Sequence, residues 1–299
     1  MPFAEHDGVK LFYDQTGSGT TVVFLHEFAG DHRSWTLQTG HFSSRYRCLA
    51  LAARGYPPSD VPDSPDAYGQ DIANGDVIAV IDHLGIGKAH FVGLSMGAYT
   101  ALQMALHHPD RCRSVVAASG GSGAFPPTRD AFLAECRAVA DQIEQAGRFP
   151  AEQMGRGPTR VQLLNKDPDR WRTFVGHAAE HPATAAAMIL RQVQAERPSL
   201  YDLEDSLRAV TVPVLLMVGD EDESCLDVNL HLKRVMPAAS LVVLPGCGHL
   251  LNLEEPGLFD RFAGEFFRAV DAGTWRPRDP STLAAAGKSA TALGLVEEG

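Results

Sequence analysis

Six short apolar runs punctuate the chain, each closed by turn-forming residues. They fall at 22–26 (VVFLH), 48–53 (CLALAA), 90–94 (HFVGL), 114–119 (SVVAAS), 213–219 (PVLLMVG) and 240–246 (SLVVLPG). They are continuously apolar rather than alternating, the pattern of strands covered on both faces. Val9, Leu11 and Tyr13 alternate with polar neighbours and predict an antiparallel edge strand. Helix-forming stretches lie between the runs. Residues 71–85 place Ile78, Ile81 and Leu84 on one stripe, and residues 96–108 stop at Pro109. Strands alternating with helices predict an α/β fold with a mostly parallel central sheet and helices on both faces.

The alternation breaks between about Gly120 and Thr211, where helical patterns follow one another without a convincing buried strand. The spacing therefore predicts a core built from residues 1–119 and 211–271, with a helical lid inserted at 120–210. Residues 272–299 are rich in Ala, Gly and Ser with little periodicity and read as a loosely attached tail.

Composition narrows the function. The 299 residues carry 37 acidic and 26 basic side chains, a formal net charge of −11, with no Lys/Arg run. That balance repels a polyanion and argues against nucleic acid as a partner. The opening MPFAEHDGVKLFYDQ lacks the basic start and apolar stretch of a signal peptide, and no apolar run is long enough to cross a bilayer. Five Cys without tight spacing do not make a disulfide framework, so a cytoplasmic protein acting on a small molecule is expected.

The sharpest chemical signal is Gly93-Leu94-Ser95-Met96-Gly97, a G-x-S-x-G placed between an apolar run and a helix-forming run. That is the setting of a nucleophile elbow, where a sharp turn presents the Ser hydroxyl and the following helix aims its amides at the site. A hydroxyl is a weak nucleophile without a neighbouring base. His249, in a Gly-flanked loop after the last strand-like run, is the candidate base. The acid belongs between the two in chain order, where Asp220, Glu221, Asp222 and Glu223 end the run at 213–219. The oxyanion hole needs the amide of Met96 and one from the loop His26–Gly30, for which Phe28 is the candidate.

Together these pieces resemble the α/β-hydrolase superfamily from about Val9 to Val270. More narrowly they are similar to its lid-bearing esterases, enol-lactonases, cofactor-free perhydrolases and carbon–carbon bond hydrolases. The loop Ala53-Arg54-Gly55-Tyr56-Pro57-Pro58-Ser59 is similar to the family's D-x-R-G-x-G-x-S loop, and Asn252-Leu253-Glu254-Glu255-Pro256 follows the His. The resemblance places the acid three residues after Gly219, at Asp222. It also exposes departures. Ala53 stands where Asp is common and Pro58 replaces the second Gly. The tail has no counterpart. Glu27 replaces a Gly beside the oxyanion hole, and a carboxylate about 4 Å from an oxyanion would oppose it by roughly 4 kcal/mol at an effective dielectric near 20. Glu27 is therefore expected to point away from the site or to have an unusual role.

The leading expectation is hydrolysis of a carboxylic ester or lactone through a Ser95 acyl-enzyme. The runners-up are carbon–carbon or perhydrolytic chemistry on the same triad, and a non-catalytic small-ligand binding protein. Dehalogenase and epoxide-hydrolase chemistry would need a carboxylate at position 95. No cofactor is expected, and no catalytic metal: His26-Glu27 begins an H-E-x-x-H pattern, but position 30 is Gly. Cys225 and Cys247 flank the catalytic loops and read as buried small hydrophobes. Trp35, Phe125, Trp171, Phe174 and Met188 are candidate pocket residues for a small to medium, largely apolar substrate.

Overall fold

A computed structural model describes residues 2–279 and 281–284. The eight strands are β1 (Phe3–His6), β2 (Val9–Thr16), β3 (Thr21–Leu25), β4 (Arg47–Leu51), β5 (Ala89–Leu94), β6 (Cys112–Ala118), β7 (Val214–Gly219) and β8 (Ala239–Leu244). They form one sheet in the order β1-β2-β4-β3-β5-β6-β7-β8. β1 and β2 pair antiparallel, as do β2 and β4, and every other pairing is parallel. This is the α/β architecture that the apolar runs predict.

The reason lies in the side chains. β3, β5 and β7 are buried at every position, as their uninterrupted apolar runs require. Val22 and Phe24 join the core on one face, Val23 and Leu25 the core on the other. One layer holds the helices Thr36–Phe42 and Pro256–Asp271, the other Gln70–His83, Met96–His107 and Glu223–Val235. Within Gln70–His83 the deepest apolar residues are Val77, Val80 and Ile81; Ile78 and Leu84 pack half-buried at the margin. β8 closes one edge, so Val243 stays 42% exposed despite its apolar run.

β2 alternates as predicted but is not the edge. β1 covers it, joined through a hairpin at Asp7-Gly8, both with positive φ. Asp-Gly flanked by strand-forming residues is a strong hairpin signal, and β1 was too short to register by periodicity.

Between β6 and β7 the chain runs through the helices Arg129–Ala146, Ala151–Gly155, Val161–Lys166, Pro168–Ala178, Ala183–Met188 and Glu204–Arg208, with no strand among the described residues. The first part of the expected tail is tied down: the Trp275 ring lies 6.3 Å from that of Phe266, and the Arg278 amide donates to the Pro237 carbonyl at 2.9 Å. Its remainder lies mostly outside the described residues. Among the described residues no helix is long and apolar enough to cross a membrane.

Candidate active site

Ser95 sits where β5 turns into the helix Met96–His107, with φ 53° and ψ −108°. A non-glycine residue held there stores about 1–3 kcal/mol of backbone strain, which the surroundings must over-determine. They do so by close packing. A Cβ on Gly97 would meet the Leu25 carbonyl oxygen at 2.1 Å, and one on Gly93 would meet the Gly97 oxygen at 2.1 Å. Both flanking glycines are thus dictated by backbone approach. The Ser95 amide donates to the Ala118 carbonyl at 2.8 Å, pinning the turn to β6. Met96 opens the helix, so its amide has no carbonyl partner within it.

His249 is 3% exposed, and its Nδ1 lies 2.8 Å from Oδ2 of the fully buried Asp222. Burial works against charge on both groups and is outweighed in both. The Asp222 carboxylate raises the His249 pKa above the ordinary histidine value, and His249 lowers that of Asp222. The hydroxyl of Ser224 donates to Asp222 Oδ1 at 3.0 Å. Of the four carboxylates at 220–223, only Asp222 bonds to the imidazole. Asp220 accepts the Cys247 amide at 3.1 Å, and Glu221 accepts from the Gln162 amide. Asp220 therefore braces the neighbouring loop across the strand end rather than capping its own turn.

Ser95 and His249 line one cavity of about 290 Å³, together with Phe28, Phe132, Val139, Met154 and Leu190. Of the five candidate pocket residues, none lies on it. Trp35 is fully buried under the sheet between Phe24 and Phe259, with ring centroids at 5.2 and 5.9 Å. Phe125 packs on Tyr201. Trp171 is buried, its Nε1 donating to the Gly155 carbonyl at 2.8 Å, and Phe174 and Met188 pack in the same core. Trp35, Trp171 and Phe174 went to the interior, where they remove most surface from water, while Phe125 and Met188 pack half-buried at its margin. The sequence held the better signal: Phe132, Cys136 and Val139 stand at i, i+4 and i+7 of the helix Arg129–Ala146, and all three reach the cavity.

Glu27 turns to Arg160, a residue of the cavity wall. It is fully buried, and its Oε2 accepts from Arg160 Nη2 at 2.6 Å. Burial pushes its pKa up, but Arg160 and then His249 outweigh burial and keep it ionised. Arg160 itself lines the cavity. The neighbouring Thr159 carbonyl accepts the His249 amide at 2.7 Å, so the segment between β6 and β7 touches both loops beside Ser95. A Cβ on Gly248 would come within 2.5 Å of that same Thr159 oxygen, which explains this glycine.

Three residues of motifs already named have supporting roles that the sequence did not show. Tyr56 donates its hydroxyl to the Phe28 carbonyl at 2.8 Å and steadies the loop at 26–30. His26 bridges the Glu27 carbonyl through Nδ1 and the Ala53 amide through Nε2, and burial lowers its pKa to about 4, which keeps it neutral. Glu254 accepts the amides of Gly248 and Leu250 at 2.6 and 3.0 Å, clamping the His249 loop from both sides.

The model of the alpha/beta hydrolase fold family matches residues 20–256. The chain belongs to this family. Among its α/β-hydrolase relatives, 3-oxoadipate enol-lactonase 1 of Acinetobacter baylyi is 25% identical over 252 residues, covering 83% of this chain and 89% of that one. A 2-hydroxy-6-oxononadienedioate/2-hydroxy-6-oxononatrienedioate hydrolase of Burkholderia vietnamiensis is 27% identical over 286 residues, covering 88% and 93%. A thermophilic esterase from Thermogutta terrifontis superposes with a TM-score of 0.79 at 25% identity, covering 90% and 97%. At this coarse level, an α/β-hydrolase acting as a hydrolase on a small-molecule substrate is the class to which the chain is assigned.

Proposed function

We propose that the chain hydrolyses a carboxylic ester or lactone of a small to medium, largely apolar substrate through an acyl-enzyme on Ser95. The observation that carries this reading is the 2.8 Å contact between buried Asp222 and His249, with His249 facing the cavity that Ser95 also lines. In the first half-reaction the Ser95 hydroxyl attacks the substrate carbonyl and His249 takes its proton. Asp222 holds the imidazole with Nδ1–H inward and stabilises the imidazolium that forms. The amides of Phe28 and Met96 receive the oxyanion. The tetrahedral intermediate collapses, His249 protonates the departing alkoxide, and the acyl group stays on Ser95. A water then attacks with His249 again as base, releasing the acid and restoring the serine.

The helices at 120–210 act as a lid in this reading. Phe132, Val139, Met154 and Leu190 would shape the apolar wall of the binding site. The test is a panel of p-nitrophenyl esters, lactones and vinylogous diketones against wild type and Ser95→Ala, with fluorophosphonate labelling. Loss of several orders of magnitude in Ser95→Ala and labelling at Ser95 are expected. Near-normal turnover in the variant, or labelling elsewhere, rejects the mechanism. Preference for the vinylogous diketones would move the assignment to carbon–carbon hydrolysis on the same residues.

A further inference from the structure

Cys225 stands three residues after Asp222, in the first turn of the helix Glu223–Val235, and is fully buried. The sequence suggests a small hydrophobe there, but its surroundings are polar. The sulfur donates to the Ser119 carbonyl at 3.2 Å and lies 3.2 Å from the Ser122 hydroxyl and 3.7 Å from that of Ser224. A carboxylate oxygen of Asp222, the sulfur of Cys225 and a ring nitrogen of His249 all lie within 4.8 Å of one another. Three chemically different metal ligands thus converge behind the cavity wall.

We propose that Asp222, Cys225 and His249 form an inhibitory binding site for Zn²⁺. The donor set is one oxygen, one sulfur and one nitrogen, and zinc accepts all three at about 2.0–2.3 Å. Drawing the three atoms around one ion needs small side-chain movements, not a new backbone. Charge also favours it. The Asp222 carboxylate and a Cys225 thiolate cancel the two positive charges of the ion, so a neutral unit replaces the buried Asp–His pair. Binding releases the thiol proton to solvent, while the imidazole proton moves from Nδ1 to Nε2 so that the ring stays neutral, with no oxidation or reduction. The fourth position faces the cavity, which His249 and Ser224 line, and a water completes the tetrahedron. Cu²⁺ and Co²⁺ suit the same ligands less selectively.

The site needs no acyl-enzyme to bind metal. Only its effect on turnover rests on the function proposed above, because zinc would take the acid and the base away from Ser95. The experiment uses the full chain freed of metal by chelation. Co²⁺ reports binding through the thiolate-to-metal absorption band, and p-nitrophenyl acetate turnover under a Zn²⁺ titration reports inhibition. Wild type is expected to show the band, to lose turnover as Zn²⁺ rises, and to regain it with chelator. Cys225→Ala should keep its metal-free turnover, lose the band, and need at least about ten times more Zn²⁺ for equal inhibition. Cys225→Ser, closer in size, guards against a packing defect, and thermal melts confirm that both variants fold. Ser95→Ala should retain the band, which separates metal binding from the acyl-enzyme question. Absence of the band in folded wild type, or equal Zn²⁺ sensitivity in wild type and both Cys225 variants, overturns the site.

Discussion

Removing Arg160 should expose what Glu27 costs the fold. Glu27 is fully buried, the Arg160 side chain is 14% exposed, and the two meet at 2.6 Å. Arg160→Met preserves the stem and deletes the charge, leaving a carboxylate in the interior without its hydrogen-bonded counter-ion. Breaking a buried pair in this way destabilises by about 3–5 kcal/mol. The pH dependence should change sign with it. In wild type the Glu27 pKa is lowered, so its contribution is present above its ordinary value and is lost as pH falls through the folded value. Without Arg160, burial dominates and raises the folded value above the unfolded one. The variant should then lose stability as pH rises from 4 towards 7, at up to about 1.4 kcal/mol per pH unit.

The assay is urea denaturation of wild type, Arg160→Met, Glu27→Gln and the double variant at several pH values. The double variant should be more stable than Arg160→Met at neutral pH, because the stranded charge has gone, and the coupling should exceed about 2 kcal/mol. Turnover should follow. An unpaired Glu27 that swings toward the oxyanion to within about 4 Å would cost roughly 4 kcal/mol, near a thousandfold in kcat. Coupling near zero, with Arg160→Met within 1 kcal/mol of wild type at neutral pH, would refute the claim that Arg160 is what lets a carboxylate stand beside this site.

Asp222→Asn should lower kcat by a factor of up to about ten thousand by no longer favouring the productive tautomer, while Asp220→Asn should act through stability by losing the Cys247 bond; the reverse order would show the wrong carboxylate was chosen. Because Asp222 raises the His249 pKa and the base must be neutral, the acidic limb of kcat/KM should lie above pH 6.5 and move down in Asp222→Asn. A limb at the ordinary histidine value in wild type would contradict this. Met154→Trp should shorten the accepted acyl chain in an ester series with little change on acetate, whereas an unchanged chain-length profile would remove Met154 from the binding wall.

The parts of this molecule that were legible in the sequence are those fixed by local rules. A strand buried on both faces has little choice but to be almost uniformly apolar, so β3, β5 and β7 could be read directly. Gly93 and Gly97 were legible because backbone atoms approach within a distance that no side chain tolerates. β1 was missed because four residues carry too little periodicity, although Asp7-Gly8 marked its turn. The five aromatic and Met candidates failed for a different reason. Size and apolarity say that Trp35 or Phe174 will be buried, but not whether against the core or against a cavity, since both environments reward the same side chain.

Glu27 marks where local rules end. Read along the chain, a carboxylate next to an oxyanion hole is a conflict, and turning it away from the site is the natural resolution. The fold resolves it by a contact across 133 residues, with Arg160 brought in from the segment between β6 and β7. That same short stretch supplies the Thr159 carbonyl to the His249 amide. One pair of adjacent residues therefore compensates the charge at the loop after β3 and fixes the loop after β8. If the helices at 120–210 do move as a lid, opening would break a buried ion pair and a backbone hydrogen bond together, and would strip both loops of support at once. Substrate entry and assembly of the site would then be one event, so substitutions at Arg160 should alter kcat more than KM. A lid that merely screens the cavity would give the opposite split.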